Sequence, residues 1–215
     1  MDALPVQLRD RVLATARALP LRTRAQARLG RAVVLLCGTL FGLFVFFLAG
    51  GARTGPRPAL LVITTTAADA LIAGFAGRVL LARGRSMLGR PYALRMGVVL
   101  GLPLMAIAAR HLLSAEFDGM VRLWPGRVGF RCLALTLAIG LAPVAAFALA
   151  FRRSEVVTPG SSGAGFGVAI GLWAGVLVDL WCPVAYLPHL LLGHLLPVAL
   201  LGAAGHLIGR RLLAI

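Results

Sequence analysis

Apolar residues along this chain gather into six long runs, near residues 32–50, 59–81, 92–113, 132–151, 164–182 and 188–209. A hydrocarbon bilayer core is about 30 Å thick, so a helix crosses it with roughly 20 mostly apolar residues. Each run meets that length. Turn formers separate most of them: Gly55-Pro56-Arg57-Pro58, Gly89-Arg90-Pro91, Trp124-Pro125-Gly126, Pro159-Gly160-Ser161-Ser162 and Cys182-Pro183. Arg95 and Arg110 trim the apolar centre of the third run. The fifth and sixth are joined by a short apolar connection, which makes them antiparallel neighbours. The pattern predicts an all-α membrane protein, a bundle of six transmembrane helices over residues 32–215 behind a polar arm, residues 1–31.

The arm has a pattern of its own. In residues 4–19, LPVQLRDRVLATARAL, the side chains of Leu8, Val12, Ala16 and Leu19 fall on one helical stripe, with Arg9, Asp10, Arg11 and Arg17 on other faces. Such a helix can lie on anionic lipid or offer its stripe to a groove on a partner protein. It lacks an aromatic residue, which disfavours deep insertion.

Composition agrees with the runs. Of 215 residues, 60% are hydrophobic, and a soluble chain of this length cannot bury helices that are apolar all round. The net charge of +15 comes from 22 basic residues, every one an arginine. A nucleic-acid partner is one reading of that excess; orientation in a membrane is another. With odd-numbered segments on one side, sixteen arginines fall there and six on the other. The positive-inside rule then places both termini in the cytoplasm of a bacterium, with the chain in its inner membrane. The arginines thus need no direct nucleic-acid contact. Residues 1–31 are too polar for a signal peptide, and the first apolar run lacks a small-residue cleavage site.

Ionisable groups inside spans are expensive and therefore informative. Asp69 in the second span, with Thr65 and Thr66 a turn earlier, could serve a small transporter or channel, or be satisfied locally by those hydroxyls. No second acid or basic relay accompanies it. The last span carries His189, His194 and His206. In a regular helix His189 and His194 diverge by about 140°, so they do not share a face unless Pro188 or Pro197 kinks the chain. A haem or metal on His194 and His206 would make a membrane enzyme. Cys37 reads as a buried apolar residue in the first span. Cys132 opens the fourth span and Cys182 closes the fifth, so both thiols lie at the outer end, where they can form a disulfide or bind a soft metal. His189, Asp179 and His111 share that end and could add ligands. Gly163, Gly167, Gly171 and Gly175 recur every fourth residue, a face suited to close helix packing or a dimer seam. No enzyme or cofactor motif is present.

Gly129-Phe130-Arg131-Cys132-Leu133, a span with Pro143 ending at Arg152-Arg153, the glycine-striped helix, and DLWCPVAYLPHLLLGHLLPV over residues 179–198 together resemble the NrsF-like membrane anti-sigma factors. The likeness covers roughly residues 92–215. It implies six spans, a cytoplasmic amino-terminal segment that sequesters an extracytoplasmic-function sigma factor from RNA polymerase, and Cys132 and Cys182 as the signal-responsive pair. Residues 1–31 contain no His-x-x-x-Cys-x-x-Cys, so sigma binding through Leu8, Arg11, Val12 and Leu19 would use a metal-free helix.

Overall fold

The computed structural model describes Asp10, Ala14 and residues 24–53, 58–81, 92–114, 128–152 and 159–213. Leu8, Arg11, Val12 and Leu19 lie outside the described residues. Every described element is a helix: α1 (Arg24–Leu48), α2 (Ala59–Leu81), α3 (Tyr92–Ser114), α4 (Phe130–Ala150), α5 (Pro159–Trp181) and a last, composite helix α6. The segments of α6 are Leu187–Leu190, a π-turn Leu191–Leu195, Leu196–Ile208 and a second π-turn Gly209–Leu213.

Five stretches among the described residues are long and apolar enough to cross a membrane: Ala25–Leu48, Ala59–Val79, Phe130–Ala150, Gly160–Trp181 and Leu187–Arg211. These make a multi-pass membrane protein. The third predicted run does form a helix, of 23 residues, but its continuous apolar part is the shorter Pro103–Leu113. The outward faces are greasy. Phe41, Phe44 and Phe47 of α1, Leu60, Ile63 and Leu71 of α2, and Met105 and Leu112 of α3 are all exposed, an arrangement that suits lipid and not water. Cys37 belongs to this outer face and is exposed, against the expectation that it would be buried.

Glycine permits two close helix crossings among the described residues. A Cβ on Gly163 would collide with the Gly205 carbonyl and one on Gly167 with the Leu201 carbonyl, while one on Gly171 would lie 2.8 Å from Val198 Cα. The glycine face of α5 is thus filled by the backbone of α6 in the same chain. Gly175, the last of the series, meets nothing within 4 Å. On α1, Gly38 and Gly42 do the same against α4: their added Cβ atoms would come within 2.5 Å of Ala146 Cβ and 2.6 Å of the Ile139 carbonyl. Such contact gains dispersion and costs little side-chain entropy, which is how helices associate where no hydrophobic drive exists.

Candidate metal centre

Cys132 enters the bundle at the start of α4. Gly129 just before it has φ +108°, a left-handed conformation that lets the chain turn abruptly into the helix. The Thr136 hydroxyl donates to the Cys132 carbonyl at 2.8 Å. Cys182 follows the end of α5, its N–H bonded to the Val178 carbonyl at 2.8 Å. His189 lies in the first segment of α6, where Pro188 suits the first turn because that turn needs no N–H.

His194 arrives by a different route. Pro197 has no N–H to give the carbonyl four residues back, and its ring crowds that turn. The chain responds with the π-turn Leu191–Leu195, in which the Leu196 N–H reaches the Leu191 carbonyl, five residues back. The wider turn brings residues five apart onto one face. His189 and His194 therefore stand together, ring centroids 5.8 Å apart, against the 140° divergence of a regular helix. Gly193 makes the approach possible: an added Cβ would lie 2.9 Å from Cys132 Cβ.

The result is a cluster of two thiols and two imidazoles. His189 Nε2 is 3.4 Å from Cys132 Sγ and 3.1 Å from Cys182 Sγ. One ligand atom from each of Cys132, Cys182, His189 and His194 lies within 4.8 Å of all the others. Cys132, Cys182 and His189 are each 2% exposed and His194 8%. The two thiols are not joined in a disulfide. His194 Nε2 is buried with no hydrogen-bond partner among the described residues, a costly state that a metal ion relieves. In a tetrahedral site with metal–sulfur bonds near 2.3 Å and metal–nitrogen bonds near 2.0 Å, ligand atoms stand about 3.3–3.8 Å apart. The present separations bracket that range. The donor set suits zinc or a softer ion such as monovalent copper or silver.

A second polar network abuts the first. Arg110 of α3, 6% exposed, forms an ion pair with Asp179 of α5. It also donates to the Cys182 and Val184 carbonyls at 3.3 and 3.5 Å. Thr66 of α2 donates to the other Asp179 oxygen at 3.2 Å. Asp179 is therefore occupied as a counterion and is no ligand. His111 turns its Nδ1 to the Ala185 carbonyl at 3.1 Å and also stands outside the cluster. Thr66 is thus engaged across the bundle, and Thr65 donates to the Leu61 carbonyl at 2.7 Å, so neither hydroxyl has Asp69 as its partner in these bonds. Asp69 lines a small cavity of about 60 Å³ with Arg110, His194 and apolar side chains. No other acid lines it among the described residues. His206 packs near Gly160, toward the opposite end of α6, and does not join His194.

A family model described as negative regulator of sigma F, NrsF, matches residues 13–214. The chain belongs to this family. No curated protein and no solved structure matches it. NrsF membership implies negative regulation of a sigma factor, which makes a sigma factor the partner and points to a regulator without catalysis. The match runs through the first two spans as well, where no motif was recognisable in the sequence. Within this NrsF protein, sequence reasoning grouped Cys132, Cys182 and His189 at one end and considered His194 as a ligand only with His206. The signal that could have found His194 is proline four residues after glycine, Gly193 and Pro197, in a histidine-bearing helix.

Proposed function

We propose that this NrsF protein is a six-span inner-membrane anti-sigma factor. In this reading α3 is the sixth crossing, both termini are cytoplasmic, and residues 1–31 hold an extracytoplasmic-function sigma factor away from RNA polymerase. Cys132, Cys182, His189 and His194 then lie at the periplasmic end, where they capture a soft or borderline metal ion, and capture loosens the hold on the sigma factor. The observation that carries the sensing role is the closed set of four buried ligand atoms within 4.8 Å of one another. An oxidative signal, joining the two thiols in a disulfide, is the second reading; the unsatisfied His194 nitrogen favours metal, because a disulfide would leave it unsatisfied.

The sign of the switch follows from population arithmetic. An ion that binds the releasing state more tightly by a few kcal/mol suffices to move the equilibrium. The test is a sigma-dependent reporter in cells carrying Cys132→Ser or Cys182→Ser, challenged with zinc, copper or silver salts. Loss of induction with either variant is the expected result. Full induction in both, with the variant proteins present in the membrane at normal levels, would remove the thiols from the mechanism. An amino-terminal reporter fusion that reads out as periplasmic would overturn the topology.

A further inference from the structure

Beside the cysteines opens a cavity of about 380 Å³, far more than an ion occupies. One water's share of liquid volume is about 30 Å³, whereas small-molecule pockets run from about 300 Å³ upward. Cys132, Cys182 and His189 line its inner part, and Arg53, Arg131, Phe130 and Trp181 line it as well. Among the described lining residues there are two arginines and no acid. Both arginines are exposed. Arg53 is well placed: its guanidinium lies 5.1 Å from the Trp181 ring centroid. Arg53 Nη2 and Trp181 Nε1 both donate to the Ala49 carbonyl, at 3.1 and 2.9 Å, and the Arg53 N–H bonds the Leu180 carbonyl at 3.0 Å. The connection after α1 is thereby tied to the end of α5.

Two fixed positive charges on an apolar-walled cleft repel a bare metal cation and draw in anions. We propose that the cavity receives its metal as a complex with a small anionic thiol of the cysteine or glutathione class. The carrier's carboxylates face Arg53 and Arg131, while the ion reaches the two thiols. Transfer is ligand exchange without change of oxidation state. As each metal–sulfur bond to a carrier breaks, one to Cys132 or Cys182 forms; where that thiol is protonated, its proton passes to the departing carrier thiolate. This inference rests on the metal-sensing reading above and adds the form in which the metal arrives.

The experiment uses the purified full chain in detergent and chloride-free buffer. Monovalent silver is supplied either as its glutathione complex or as silver nitrate, and uptake is followed by the ultraviolet absorption of silver–thiolate bonds in stopped flow. Uptake from the glutathione complex should slow as salt is added. In the Arg53→Gln/Arg131→Gln variant it should slow about tenfold, while uptake from silver nitrate becomes faster. Arg131→Gln alone should move both rates the same way by less, and it stands in if the double variant does not fold. Equal slowing for both silver sources, or no change for either, would overturn the carrier proposal and leave the metal centre standing. Undiminished silver uptake by a Cys132→Ser/Cys182→Ser protein would instead remove the metal-sensing reading, and this inference with it.

Discussion

Replacing Arg110 by Met should be among the most damaging single changes in the bundle, and replacing Asp179 as well should undo much of the damage. Arg110 is 6% exposed and Asp179 1%, so neither charge has water to fall back on. With the guanidinium gone, the carboxylate keeps the Thr66 hydroxyl at 3.2 Å but loses its Arg110 counterion. Stranding one member of a buried pair costs about 3–5 kcal/mol. The Cys182 and Val184 carbonyls also lose their side-chain donor, at about 1 kcal/mol each. Asp179→Asn alone removes the guanidinium's ion-pair partner, although Asp69 still shares the small cavity with it. The double variant Arg110→Met/Asp179→Asn removes both charges of the pair and keeps the loss at the carbonyls, about 1–3 kcal/mol. It should therefore be more stable than either single variant. The measurement is unfolding in mixed micelles of rising dodecyl sulfate fraction, followed by tryptophan fluorescence. Additive costs, with the double variant as unstable as the sum of the singles, would refute the pairing and the burial argument built on it.

The same titration tests the glycine face. Gly167→Val drives a branched side chain into the Leu201 carbonyl and should cost about 1–3 kcal/mol or more, while Gly175→Ala, which meets nothing within 4 Å, should stay within about 0.5 kcal/mol. Equal effects at the two positions would deny the crossing of α5 and α6. His194→Ala should weaken zinc binding, measured by competition with a chelating dye, by at least about tenfold while both thiols remain titratable. Unchanged affinity would exclude His194 from the site.

The apolar runs made the helices legible, because a span is written in consecutive residues and its length is set by the bilayer. Contacts between spans were less so. Cys132, Cys182 and His189 could be placed at one end from topology alone, yet Asp179 and His111 stood at that same end, and depth does not separate a ligand from a counterion. The partner of Asp179 is Arg110, 69 residues earlier on a different helix, and no local pattern reports it. His194 was hidden for another reason. A regular 3.6-residue turn keeps it off the face of His189 unless Pro188 or Pro197 distorts the helix, and the π-turn ahead of Pro197 is that distortion. Cys37 failed because "apolar" and "buried" are different statements in a bilayer, where the outer face is as hydrophobic as the core.

Cys182 belongs to both networks, and this shapes how a bound ion could be felt elsewhere. Its thiol faces the four-ligand cluster and its carbonyl accepts from Arg110. Along most of α5 the packing against α6 is backbone on backbone, from Gly163 to Gly171, and there a small sliding motion would meet carbonyls at once. At Gly175 the close contact ends, beside the small cavity lined by Asp69, Arg110 and His194. Movement of ligands by about 1 Å or less, as an ion draws four atoms into a tetrahedron, is therefore resisted along the glycine face and admitted at the end that carries the cysteines. The described side-chain bonds from α3 in this region end on Cys182, Val184 and Ala185, and on Asp179 of α5 through the Arg110 ion pair. A shift of that short segment is thus transmitted first to α3, whose amino-terminal end adjoins the arginine-rich residues 83–90 in sequence. In the proposed regulator, α3 rather than the α5–α6 seam is the element that two states would move.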